Sequence, residues 1–482
     1  MKKHVSRYLG CLVAIALSGA QQAPTPDPVI GRALSNISAD SLRGNLSFIA
    51  SDLLEGRDTP SRGLDIAAEY IATQFRVAGL EPAGGDDYFQ TARMLHVKSG
   101  GTDFLVRLHE GNQTLLLHDN QAAAISLHPL EISGAPLVKI REPKELAVAD
   151  VRGKVVFLAA GRPHMAELAK AAVALHPAAL LEVSESENDP AVPRLLDPEQ
   201  DRQTYAEIPR LIVRDPEARK LLRGAKEHDS GLALWIHAPE PTLEPVSIRN
   251  VIGILRGSDL ALRDQYVLVT AHYDHVGMPN SGQIFRGAND DGSGTVSVIE
   301  IAKALAALRV RPKRTVVFIT FFGEEEGSLG ANYYACHPVF PLHKTVVDLN
   351  LEQVGRTDSN SGPKVASASL TGFAYSNVAA ILQQAGEMTG IKVYETPGGD
   401  EFFERSDNET FAERGIPAHT IVVAFEYPDY HAVGDTWQKI NYDNMAKVDR
   451  MIALGAIMIG NNPDPPKWNH RNPNAAKFSG SR

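Results

Sequence analysis

Four short clusters of ionisable residues carry the chemistry open to this chain. The first is Ala271-His272-Tyr273-Asp274-His275, directly after an apolar run. In a strand, residues i and i+2 share a face, so Asp274 can accept the His272 N–H and fix the tautomer of a metal-binding imidazole. Taken alone, the segment reads as a polar strand end with a solvated histidine. The second is Gly287-Ala288-Asn289-Asp290-Asp291-Gly292-Ser293-Gly294, whose acids precede a helix N-terminus that favours carboxylates. A capping loop accounts for one aspartate there more readily than for two. The third, Gly323-Glu324-Glu325-Glu326-Gly327, ends a dense apolar run. Gathering these carboxylates in a half-buried site costs several kcal/mol unless one protonates or a cation joins them. The fourth is split between Glu352 and the pair Tyr430-His431, followed by Gly434-Asp435-Thr436. Imidazoles and carboxylates without thiolates suit zinc, and a carboxylate shared by two ions ~3.5–4 Å apart is a recurrent hydrolase arrangement.

These clusters need a frame that brings strand ends together. Tyr266–Ala271, Thr315–Phe322, Thr345–Leu351 and His419–Ala424 read as strands, the first two apolar enough to be covered on both faces. Helices are expected at Ser293–Leu308, Ser376–Gly386 and Tyr442–Ile459, and after a Ser61 cap up to Gly79. The pattern predicts an α/β fold with a mainly parallel mixed sheet flanked by helices. Between about Gly100 and Pro245 the runs shorten, at Phe104–Leu108, Leu115–His118, Val155–Ala159 and Ala178–Val183, with an Ala-rich helical stretch at Glu167–Leu175. This predicts a separate small β-rich module at 115–245, inserted between catalytic-domain segments 30–114 and 246–462, with a disordered polar tail from Asn461, assigned to 463–482.

Composition narrows the function. The 482 residues are 43% hydrophobic and 22% charged, which excludes collagen-like and disordered chains. With a formal charge of −10 and no basic run, nucleic acid is a poor partner. Lys2, Lys3 and Arg7 precede the apolar run Leu9–Leu17, which closes with Ser18-Gly19-Ala20; residues 1–20 read as a secretory signal peptide, followed by a Pro-rich spacer. The expectation is a periplasmic or secreted protein with no membrane span after cleavage. Removal of Cys11 leaves Cys336 without an internal disulfide partner.

Residues 248–440 resemble the co-catalytic zinc aminopeptidase family of M28-type metallopeptidases. The likeness rests on His272-Tyr273-Asp274, Gly287–Asp291, Glu324-Glu325 and Tyr430-His431 with Asp435-Thr436, and extends to Ile248–Gly253, Ser406-Asp407, Gly415-Ile416-Pro417, Glu55-Gly56-Arg57 and Gly79-Leu80-Glu81-Pro82. Gly153-Lys154-Val155-Val156 and Ile208-Pro209 resemble the protease-associated domain often inserted in that family. The resemblance implies two zinc ions, with His272 and Glu352 on one, Glu325 and His431 on the other, and Asp290 bridging. It implies a peptide substrate whose N-terminal residue is released by a water held between the ions and activated by Glu324 as general base. Asp274 would support His272, and Tyr430 is a candidate donor to the oxyanion. The family usually has Asp where Glu352 stands, an apolar residue where Gln353 stands, and often His at Asn408; the first departure bears on zinc geometry and the last on the substrate rim.

Three alternatives remain at this level. A single-zinc glutaminyl cyclase shares the scaffold, although Gly327-Ser328-Leu329-Gly330 has the compact aminopeptidase spacing. A carboxypeptidase or dipeptidase needs a basic pocket, for which Arg286, Arg356 and Arg405 are available. The fold also serves non-catalytic receptor ectodomains that lack the ligands.

Overall fold

The computed structural model describes residues 24–480, apart from 84–87, 99–102, 119–120, 160–167, 170, 185–194, 199–207, 229 and 279–281. The leader expected at 1–20 lies outside the described residues, as does part of the helix expected at Glu167–Leu175.

Four parallel strands form the centre of the larger sheet, in the order Ala418–Val422, Thr345–Leu351, Tyr266–His272 and Thr315–Phe321. Every residue in them is buried. Their side chains alternate between two cores, as a pleat with a period of two requires. Val267, Val269, Ala271, Val316 and Phe318 join the core under helices Ala39–Ile49, Arg62–Val77, Gly294–Ala306 and Tyr442–Asn461. Leu268, Val317, Ile319 and Phe321 face the other way, towards helix Leu329–Cys336 and the chain end.

Outside that centre the pairing is mostly antiparallel, the short parallel pair of Ser367–Leu370 with Lys392–Val393 at one edge excepted. Thr242–Leu255 runs antiparallel to Thr315–Phe321 and to Phe89–Lys98, and Ser367–Leu370 runs antiparallel to Ala418–Val422. The expectation of a mainly parallel sheet missed these flanks, because the two long strands that border the inserted stretch pair with each other rather than through a crossover helix.

A second sheet has eight strands in the order Gln113–Leu117, Leu105–Glu110, Leu232–Ala238, Leu130–Ile140, Val155–Leu158, Ala179–Val183, Arg210–Val213 and Ala122–Ile125. It buries its own apolar residues, Val106, Leu108, Phe157 and Leu234 among them. It starts at Leu105 rather than at 115, because Leu105–Glu110 pairs with Gln113–Leu117. One piece of the same stretch, Leu195–Leu196, adds instead to the edge of the larger sheet beside Phe89–Lys98.

The chain end departs from expectation. Pro473–Ser479 is a helix, and Trp468, Ala475 and Phe478 are buried beside Phe403 and Ala412. The Trp468 indole donates to the Gly415 carbonyl at 3.0 Å. Three apolar side chains in a polar stretch give no periodic signal; their burial is supplied by the body of the protein. Among the described residues no helix is long and apolar enough to cross a membrane.

Candidate metal centre

The parallel strands deliver their C-terminal ends to one side of the sheet, where open α/β folds build ligand sites. His272 ends one strand, Glu324 and Glu325 follow the next, and Glu352 directly follows a third. His431 lies in the loop after Ala418–Val422.

Asp290 holds the middle. Its Oδ1 is 3.4 Å from His272 Nε2, and its Oδ2 is 3.0 Å from His431 Nε2. Two donor groups form around it, His272 with Asp290 and Glu352, and His275 with Asp290, Glu325 and His431; the donor atoms in each lie within 4.8 Å of one another. All five residues expected as zinc ligands are therefore in these two groups. His275 is the addition: its Nδ1 lies 2.7 Å from Glu325 Oε1. It follows the strand end, where alternation no longer says which way a side chain points, so spacing gave no reason to select it.

The surrounding hydrogen bonds explain how the donors are aimed. Asp274 accepts the backbone N–H of Glu324 at 3.1 Å and of Glu325 at 3.3 Å, while its Oδ1 stands 3.4 Å from His272 Nδ1. Asp435 accepts from the N–H of Asn289 and Asp290 and from the Tyr427 hydroxyl at 3.0 Å, fixing the loop that carries the shared carboxylate. Asp291 turns away from the donors to accept from Gly294 N–H at 2.9 Å and Gln353 N–H at 3.3 Å. The departures at 352 and 353 act together, since Gln353 Nε2 donates to Glu352 Oε1 at 3.0 Å. Asn408 is fully buried, bonded to the Phe403 carbonyl and the Thr420 hydroxyl, so it belongs beneath the site and not on a substrate rim. Gln353 and His431 both hold a left-handed φ, at +54° and +49°, which side chains with a Cβ adopt only where the surroundings enforce it. Tyr430 is 41% exposed and stacks on His431 at 4.1 Å, which puts it at the rim.

The charges define what the donor set requires. Burial, reinforced by Glu352 and Glu325, pushes the Glu324 carboxyl well above the ordinary range. Burial likewise raises Glu352 and Asp291, and lifts Asp407 to about 7. Burial opposes ionisation of Glu325 too, but the His431 and His275 rings beside it win and hold it at about 2. Fully buried His272 has neither ring nitrogen hydrogen-bonded, and neither is His275 Nε2. Crowded acids and orphaned imidazole nitrogens aimed at one another are the donor set a divalent cation satisfies, so the residues fit zinc in both groups.

Two of the three candidate arginines are already committed. Arg356 is bound to Asp358 and Asp429, and Arg286 to Asp52. Arg405 lies over the Phe402 ring.

Residues 250–456 match the model of peptidase family M28. The chain is 26% identical over 286 residues to a probable leucine aminopeptidase 2 of Aspergillus oryzae, covering 54% of this chain and 53% of that protein. It is 35% identical over 128 residues to a probable zinc metalloprotease of Pyrenophora teres f. teres, 26% of each chain. The chain thus spans about half or less of the length of these relatives. In fold it is similar to an aminopeptidase from Aneurinibacillus sp. strain AM-1, with a TM-score of 0.59 at 17% identity over 91% of this chain and 97% of that one.

Proposed function

Because the chain belongs to peptidase family M28 through residues 250–456, we propose that it is an exported two-zinc aminopeptidase releasing N-terminal residues from peptides. The observation that carries the reading is the Asp290 carboxylate, whose two oxygens reach separate histidine-containing donor groups. His272, Asp290 and Glu352 would hold one zinc, and Asp290, Glu325 and His431 the other, with His275 in reach of the second. Zinc bound there would supply Lewis acidity, lowering the pKa of water and drawing charge from the scissile carbonyl.

The remaining tasks fall to the chain itself. Glu324 Oε2 stands 3.9 Å from His272 Nε2 and belongs to neither donor group, so its carboxylate is available to take a proton from the attacking water and return it to the leaving amine. Asp274 holds the Glu324-Glu325 turn in place, and its carboxylate, 3.4 Å from His272 Nδ1, would orient that ring once it ligates. The Tyr430 hydroxyl, at the rim, is positioned to donate to a developing oxyanion.

An acidic floor suits a free α-ammonium group. The pairing of Arg286 and Arg356 with aspartates counts against a pocket for a terminal carboxylate. The inserted stretch, expected at 115–245 and carrying a sheet that begins at Leu105, is read as a protease-associated domain beside the catalytic domain, and export rests on the charged and apolar pattern of residues 1–20.

The test is metal analysis with aminoacyl, pyroglutamyl-forming and C-terminal substrates assayed side by side. Chelation should abolish aminoacyl cleavage and zinc restore it. Full activity after verified metal removal refutes the metal reading; cleavage confined to C-terminal substrates makes the protein a carboxypeptidase.

A further inference from the structure

Arg57 lies outside residues 250–456, in the segment Asp52–Arg57, yet its side chain ends beneath the metal centre. It is fully buried and holds a left-handed φ of +56°, a costly conformation for a residue with a Cβ. Nε donates to the Tyr273 carbonyl at 2.8 Å, Nη1 to those of Ile49 and Arg286 at 2.7 Å each, and Nη2 to that of Gly287 at 2.8 Å. Its own carbonyl accepts the His275 N–H at 3.2 Å. Among the described residues all its side-chain hydrogen-bond partners are main-chain carbonyls. Burial lowers its pKa only to about 10, so it is a cation at neutral pH beside Asp274, Asp435, Asp291 and Asp290.

The places it grips matter. Tyr273 joins His272 to Asp274, and Arg286 and Gly287 lead into the loop that presents Asp290. The fit is close on both sides: a Cβ on Gly56 would sit 2.3 Å from the Phe285 carbonyl oxygen, and one on Gly287 would sit 2.4 Å from the His275 ring. We propose that Arg57 is a positioning residue that fixes the spacing between His272 and Asp290 before any metal arrives, so that the N-terminal segment is a working part of the metal centre. The inference rests on the metal reading above. A planar fork with five N–H donors can hold several carbonyls in one plane, which an ammonium cannot.

The experiment uses the full chain. In the wild type, amide exchange at His275 and at Gly292, whose N–H bonds the Gly287 carbonyl at 3.0 Å, should stay within about tenfold of the zinc-loaded rate after zinc is removed. Arg57→Gln and Arg57→Lys should each weaken zinc binding at least ~10-fold in competition with a chelator, and alter the cobalt absorption spectrum. A folded Arg57→Gln protein with unchanged zinc affinity and cobalt spectrum overturns the proposal. So does loss of protection at His275 and Gly292 when wild-type zinc is removed, a result that needs no variant to fold. A wild type that takes up no zinc overturns the metal reading and this inference together, whereas a zinc-binding wild type with indifferent variants overturns the inference alone.

Discussion

The two donor groups share Asp290 but are made of different material. The His272 group is built on strand ends: His272 closes a fully buried strand and Glu352 directly follows another, both held by hydrogen-bonded neighbours. The His431 group is built on loops, and the His431 side chain is 25% exposed. The strand-end group offers three protein donors, the loop group four once His275 is counted. A closed set of four donors binds zinc as structural sites do, while three leave a position open for water or substrate. Glu324 stands beside the three-donor group, close to His272. Under the two-zinc proposal, the strand-end half with its open position would be the half suited to chemistry, and the loop half would draw its affinity from donor number.

The sharpest test of that division is Glu324→Gln. It should lose ~10²–10⁴-fold in kcat while both zinc ions remain, as measured by steady-state kinetics with metal analysis. A variant that loses metal instead makes Glu324 a donor of the strand-end group. Glu352→Ala comes next: with one of three donors gone, zinc content should fall from about two per chain towards one, with affinity for the second ion reduced at least ~10²-fold. Retention of two tightly held ions would show that Glu352 is not a donor.

His275→Asn is expected to be milder. The loop group keeps three donors, and its zinc should bind ~10–100-fold more weakly while the strand-end ion is unaffected, as read by chelator competition. Equal loss at both ions would mean that the halves are not separable.

The smallest effect on metal is expected from His419, a buried imidazole with both nitrogens satisfied, by the Ser376 hydroxyl at 2.6 Å and the Thr371 carbonyl at 2.8 Å. His419→Gln should leave zinc content unchanged. Burial holds this ring down at about 4, against an ordinary 6.5. Between those values the unfolded chain binds a proton that the folded chain does not, so stability falls as pH drops through the window, by about 3 kcal/mol in all. The variant should flatten that part of the stability–pH curve. An unchanged slope would show that the ring is not held neutral, and zinc loss would show that the layer under the site is coupled to the metals.

Much of this centre could be read before any fold was known. Apolar runs with the period of a strand located Tyr266, Thr315 and Thr345 as strand starts, each followed by ionisable residues, and those residue types pointed to zinc. The strand pattern also foretold two buried faces. It was silent on the antiparallel flanks, because pairing between Phe89–Lys98 and Thr242–Leu255 spans an inserted sheet that local periodicity does not register. The docked helix Pro473–Ser479 was equally hidden, its apolar side chains being too few to form a stripe.

The chemistry on offer is local: which side chains can bind a cation, and that they stand at strand ends, follow from strand periodicity and donor type, which are properties of a few consecutive residues. Tertiary structure alone decided who meets whom. Asp290 is divided between two histidines, Asp435 steadies it from the far end of the catalytic region, and Arg57 reaches carbonyls 216 and 230 residues away. Contacts at such separations depend on how whole elements close on one another, and the loop residues that make them carry no period from which their direction could be read.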